Sequence, residues 1–137
     1  SKFTTTSTSA TSTNLTFPVG TNENWIIDFW LTTQCSSTGG MKYAISAPAG
    51  STIEGWILSS TSAITTNSYQ RITSINTLNS TALHTVASAP GPDRIRCLVR
   101  TSSTSGNITL QAASVTSGQT TTIFANSNLK AIKASLL

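Results

Sequence analysis

Trp25-Ile26-Ile27-Asp28-Phe29-Trp30-Leu31-Thr32-Thr33 reads as one extended strand, because β-branched and aromatic residues fill it and neither Gly nor Pro interrupts it. Period two places Trp25, Ile27, Phe29 and Leu31 on one side and Ile26, Asp28, Trp30 and Thr32 on the other. The first set is the core side. The second faces away from it, yet it carries Ile and Trp. Strands that are apolar on both sides are usually covered on both sides, and a chain of 137 residues has a single interior. The second cover is therefore expected to be another subunit, with Ile26, Asp28 and Trp30 at the contact.

Outward from this strand, short apolar segments alternate with Gly, Pro, Asn and Ser clusters, the punctuation of an all-β sandwich. Further strands are expected at Leu15–Val19, Met41–Ala47, Thr52–Ser59, Arg94–Thr101, Asn107–Val115 and within Asn128–Ala134. Gly20 to Asn24 and Cys35 to Gly40 are turn chemistry, since Gly and Asn tolerate positive φ. No helix is expected, because Thr, Ile and Val dominate throughout. Between Ser60 and Ser88, Tyr69, Ile72, Ile75 and Leu78 recur every third residue, a spacing open to a helical turn or a twisted strand. The many Ser, Thr and Asn there favour β. Residues 1–14 hold Phe3 as their one large apolar group and are expected to form a flexible arm. Residues 15–137 form a single domain.

Composition narrows the function classes. Of the 137 residues, 48 are Ser or Thr and only 9% are charged, too few for solvated helices or coiled coils. Leu, Ile, Val and Phe make up about 22%, close to the disorder threshold of roughly 20%, but a net charge of +4 lacks the self-repulsion that keeps chains open. Eight scattered basic residues make no phosphate-binding stripe, so no nucleic-acid partner is expected. No apolar run reaches the roughly 20 residues of a membrane span, and the start has no apolar signal-peptide core. Neither a membrane partner nor a secretion signal is expected. Cys35 and Cys97 match no metal spacing, and Cys97, between apolar neighbours, reads as a buried thiol.

Acid–base chemistry has little to draw on: Glu23, Asp28, Glu54, Asp93 and a single histidine, His84. No carboxylate or cysteine lies near His84 in sequence, and there is no Gly-x-Ser-x-Gly elbow, phosphate loop, metal-binding helix motif or paired-carboxylate strand. No enzyme and no cofactor are expected. Sequons at Asn14, Asn79 and Asn107 are no more than chance supplies in so Ser/Thr-rich a chain. Trp30, Trp56 and Tyr69 could stack on a sugar ring, although core or subunit contacts are the commoner fate of such residues.

On the Arg94 strand, Ile95, Cys97 and Val99 form the core side, while Arg94, Arg96, Leu98 and Arg100 share the outer side. Three readings stay open for those guanidiniums: a solvated face, pairing with Asp28 or Glu54 across a subunit boundary, or an acidic ligand or phosphate.

Several blocks carry a resemblance. Leu15-Thr16-Phe17-Pro18-Val19, Asn24 to Phe29, and Gly39-Gly40-Met41-Lys42-Tyr43-Ala44-Ile45-Ser46-Ala47-Pro48-Ala49-Gly50 resemble a β domain widespread in tailed-bacteriophage virion proteins. Arg94 to Val99, Gly106 to Ala113 and Ser127 to Lys133 agree with it. The chain departs from the pattern at Ala112-Ala113, where an aromatic is usual, and in its Ser/Thr-rich middle. The resemblance implies a jelly-roll sandwich, similar to tumour-necrosis-factor-like domains, that associates as a homotrimer. It further implies a capsid decoration (cement) protein, made in the host cytoplasm and carried on the virion head, where it stabilises the major capsid protein. The alternative is a receptor- or carbohydrate-binding terminal domain of a tail fibre or spike. On the first reading Lys2, Phe3, Thr4, Thr5 and Thr6 belong to a capsid-gripping arm, and Ile26, Asp28, Trp30, Arg94, Arg96 and Arg100 to the trimer interface.

Overall fold

The structure, a computed structural model, describes residues 1–36, 40–60, 67–85 and 90–136. The turn expected at residues 37–39 and the parts of the middle segment at 61–66 and 86–89 lie outside the described residues. Ten strands are described: β1 (Phe3–Thr5), β2 (Thr11–Val19), β3 (Asn24–Cys35), β4 (Met41–Ser46), β5 (Thr52–Ser60), β6 (Asn67–Ile72), β7 (Gly91–Arg100), β8 (Gly106–Ser114), β9 (Thr121–Ile123) and β10 (Asn128–Lys133). All their pairings are antiparallel.

Two sheets result, and the fold is all-β, as expected. The larger has seven strands, running β1-β9-β3-β7-β5-β6, with β10 also paired to β3. β3 is its spine: β7 lies along one edge from Asn24 to Thr33, while β10 and then β9 share the other. The smaller sheet is β2-β8-β4. Their inner faces meet in one core, where Ile27, Phe29, Leu31, Ile57, Ile95 and Val99 from the larger sheet and Tyr43, Ile45, Ile108 and Leu110 from the smaller are buried. Each such aliphatic or Phe side chain contributes roughly 2 kcal/mol. Cys35 and Cys97 are buried and unpaired. Burial pushes their thiols up to about 11 and about 12 respectively, so neither is a ready nucleophile at neutral pH.

The β reading of residues 60–88 holds, among the described residues, for β6. Beyond Ile72 the chain serves the smaller sheet in place of a fourth strand. Asn79 donates from its backbone N–H to the Tyr43 carbonyl (2.9 Å), and its side-chain Oδ1 accepts from the Tyr43 N–H (2.7 Å). Met41 and Leu83 exchange a reciprocal pair of backbone bonds. The open edge of β4 is thereby satisfied by a loop whose Asn imitates a backbone amide.

Residues 1–14, expected as an arm that is flexible unless a partner or neighbouring subunit holds it, make strand pairings with the body in the structure. β1 pairs with β9 (Thr4 opposite Thr122), and β2 begins at Thr11 rather than Leu15. The physical reason is the threonine hydroxyl. Between Ser12 and Thr16 the β2–β8 register shifts, and there Thr13 turns inward, donating to the Leu110 carbonyl (2.8 Å) and accepting from the Leu15 N–H (3.1 Å). Polar residues can thus enter a sheet without leaving backbone groups unsatisfied.

Candidate assembly surface and buried polar centre

The outward side chains of β10, β3, β7, β5 and β6 form one continuous face, ordered by cross-strand register. One row runs Ile132, Ile26, Leu98, Glu54; the next Lys130, Asp28, Arg96, Trp56, Arg71; the third Asn128, Trp30, Arg94, Leu58, Tyr69. Five of the six residues assigned to the outer contact, namely Ile26, Asp28, Trp30, Arg94 and Arg96, therefore sit in adjoining positions. Arg100 shares the face but lies at its end, between Asn24 and Thr52. Trp30 is 50% exposed, Ile132 53% and Tyr69 71%, high values for large apolar groups.

Both carboxylates on this face are paired within the chain. Arg94 grips Asp28 with both prongs, Nε to Oδ1 at 3.0 Å and Nη2 to Oδ2 at 2.9 Å, while Arg96 reaches Oδ2 at 3.3 Å. Arg71 pairs with Glu54 at 2.6 Å. These arginines find Asp28 and Glu54 across strands of one chain. Asp28 lies opposite Arg96 and diagonal to Arg94, and Glu54 lies diagonal to Arg71, so each carboxylate has a guanidinium within reach on a neighbouring strand. The Arg94 bonds hold the Asp28 carboxyl below its ordinary range, and Asp28 in turn raises the Arg94 guanidinium. Arg94 also lies 5.7 Å from the Trp30 ring centre, and Trp56 packs against Tyr69 with ring centres 6.1 Å apart. A shallow depression between Ile26, Trp56, Leu98 and Arg96 has Gly55 at its floor.

Lys130, Ile132 and Arg71 belong to this face and were not anticipated by the sequence reading. The alternation Asn128, Lys130, Ile132 is a legible signal for β10, but which strand β10 joins is not written locally. Of the residues assigned to an arm, Phe3, Thr4 and Thr5 form β1 at the far edge of the same sheet, Thr5 with its side chain turned inward and buried. Lys2 precedes the strand and Thr6 follows it.

The second constellation is buried. Asp93 points inward from β7, 1% exposed, and four side chains converge on its carboxylate. Tyr43 of β4 (2.5 Å) and Thr33 of β3 (3.0 Å) donate to Oδ2, Ser59 of β5 donates to Oδ1, and His84 Nε2 lies 2.8 Å from both oxygens. His84 adopts a positive φ of 52° to reach it. Burial and the adjacent carboxylate push the Tyr43 phenol well above its usual value, so it serves as a proton-bearing donor.

Sequence distance hid this centre. His84 and Asp93 are only nine residues apart, but nothing local shows that both turn inward. The signal present was the period-two series Asp93, Ile95, Cys97, Val99, which places a carboxylate on the core side. Ser59, His84 and Asp93 are the residue types of a hydrolytic triad, but here serine and aspartate meet the same imidazole nitrogen. A relay needs them on opposite nitrogens. Among the described residues no cluster of His, Cys, Asp and Glu could hold a metal ion. No family model, no curated protein and no solved structure matches this chain.

Proposed function

We propose that this protein is a structural component of a tailed-bacteriophage virion: a capsid decoration protein, a homotrimer of jelly-roll-like subunits, that adds to the head surface and stabilises the major capsid protein lattice. The observation that carries the reading is the outer face of the seven-stranded sheet. Ile26, Trp30, Trp56, Tyr69 and Ile132 are all exposed there, around two carboxylates already paired with arginines across strands. Exposed apolar groups gathered on one face mark a contact surface. Prior pairing of Asp28 and Glu54 lowers the cost of covering them, because neither carboxylate is stripped of water alone. The virion setting and the three-fold assembly rest on the sequence resemblance.

The role is mechanical rather than catalytic. A protein that binds the assembled lattice and not its free subunits stabilises the lattice by mass action, and three linked copies multiply the effect. Residues 2–6 supply a second grip. β1 is three residues long at a sheet edge, and once released from β9 it can extend an exposed edge of the capsid protein.

Cryo-electron microscopy of the virion tests the proposal. Decoration predicts copies at repeated three-fold or quasi-three-fold positions over the head. Density confined to the tail overturns it in favour of a receptor- or glycan-binding domain.

A further inference from the structure

The outer face carries five cations, Arg71, Arg94, Arg96, Arg100 and Lys130, against two carboxylates, Asp28 and Glu54. Its net charge of +3 is most of the chain's +4. A second copy of this chain has nothing to offset that charge. Of the four acidic side chains, Asp28 and Glu54 lie on the face itself, Asp93 is buried, and Glu23 is bonded to Lys133 at 2.6 Å. Covering the face with another copy would bury cations against a surface without free carboxylates, which is costly.

We infer that this face docks an acidic protein surface of a different chain, one whose carboxylates meet Arg100, Lys130 and the outer edge of Arg96 and whose apolar side chain enters the depression between Ile26, Trp56 and Leu98. The inference rests on reading the face as an assembly surface and names its occupant as the lattice rather than a trimer mate. Any three-fold contact then falls on other surfaces. Size and chemistry favour protein over the other anions. Five strands at about 4.8 Å spacing make a face about 20 Å wide, several times a sugar ring. Asp28 and Glu54 stand in its middle rows, where they repel a continuous phosphate chain but suit a partner of mixed sign.

The purified chain can be tested against a random copolymer of glutamate and tyrosine at low salt. Two single variants remove equal charge: Lys130→Gln on the face and Lys42→Gln away from it. Neither side chain has an ion pair among the described residues. The face variant is expected to bind roughly threefold more weakly than the other. Equal losses would reduce the effect to net charge and overturn the inference. So would tighter binding to heparin or oligothymidine than to the copolymer, or an oligomer that dissociates on Trp30→Ala. The decoration reading fails separately. Absent head density with face-dependent copolymer binding removes decoration alone, while head density indifferent to the face variant removes this inference alone.

Discussion

Asp93 is a carboxylate in a place where an isolated charge would be strongly disfavoured, and its tolerance there comes from converging donors on four different segments. Each donor has Asp93 as a shared acceptor, so removing the acceptor strands them all. Asp93→Asn, which turns an amide N–H toward donors, is expected to destabilise the fold by about 3–5 kcal/mol in urea unfolding. Tyr43→Phe, which leaves the carboxylate three other partners, should cost about 1–2 kcal/mol. Equal costs would mean that the centre is not organised around Asp93. Glu23 offers a second test at this scale. Lys133, the Gly20 N–H and the Trp25 indole N–H bond its carboxylate and bring it from the ordinary 4.5 down to about 2. Because the folded value is depressed, the stabilisation is fully present above the unfolded value and is lost as pH falls from about 4.5 towards about 2. The difference in melting temperature between the wild type and Glu23→Gln should therefore shrink across that window. A difference that stays constant there would rule out the linkage.

At the scale of elements, the β5–β7 pairing depends on a close approach. Gly55 faces Cys97, and a Cβ at position 55 would lie 2.3 Å from the Arg96 carbonyl oxygen and 2.5 Å from the Cys97 Cβ. The obstruction includes backbone, which cannot rotate aside. Gly55→Ala should cost about 2–3 kcal/mol and be visible as a lower urea midpoint. An unchanged midpoint would show that the strands can part without loss. β1 poses the opposite question, since its role in capsid gripping requires it to leave β9. Thr4 and Thr122 are register partners, so Thr4→Cys with Thr122→Cys should form a disulfide, with the buried native thiols too weakly acidic to compete. The oxidised protein is expected to fold but lose head binding, and reduction should restore it. Binding unaffected by oxidation would place the capsid contact entirely on the folded body.

For the whole molecule the governing quantity is the distribution of few charges. Cations concentrate on one face, while the strands of the smaller sheet carry a single charged side chain, Lys42. A trimer is the expected solution state. Sedimentation should give a mass near three times 14.3 kDa, and it should resist added salt, because three-fold contacts away from the charged face have little electrostatic content. A monomer at all concentrations would remove the homotrimer from the proposal.

All seven strands expected from alternation and turn punctuation are present, and the outward direction of Ile26, Asp28 and Trp30 on one strand and of Arg94 and Arg96 on another follows from period two alone. Those properties are local: each residue's side of the pleat is set by its own strand, and a one-residue slip would reverse them all. β1 and β9 escaped because they are short and polar and owe their order to partners distant in sequence, while β6 was legible only as part of an undivided β reading of the middle segment. The same holds for the arm, which Thr13 and the β9 edge bind to the body. What tertiary structure alone decided was which strands lie side by side. That choice closed the Asp28–Arg94 pair within the chain and gathered Asp93 with His84, Tyr43, Thr33 and Ser59. Hydrogen bonds and ion pairs act over a few ångströms of space, and only the folded chain determines which distant residues come within that reach.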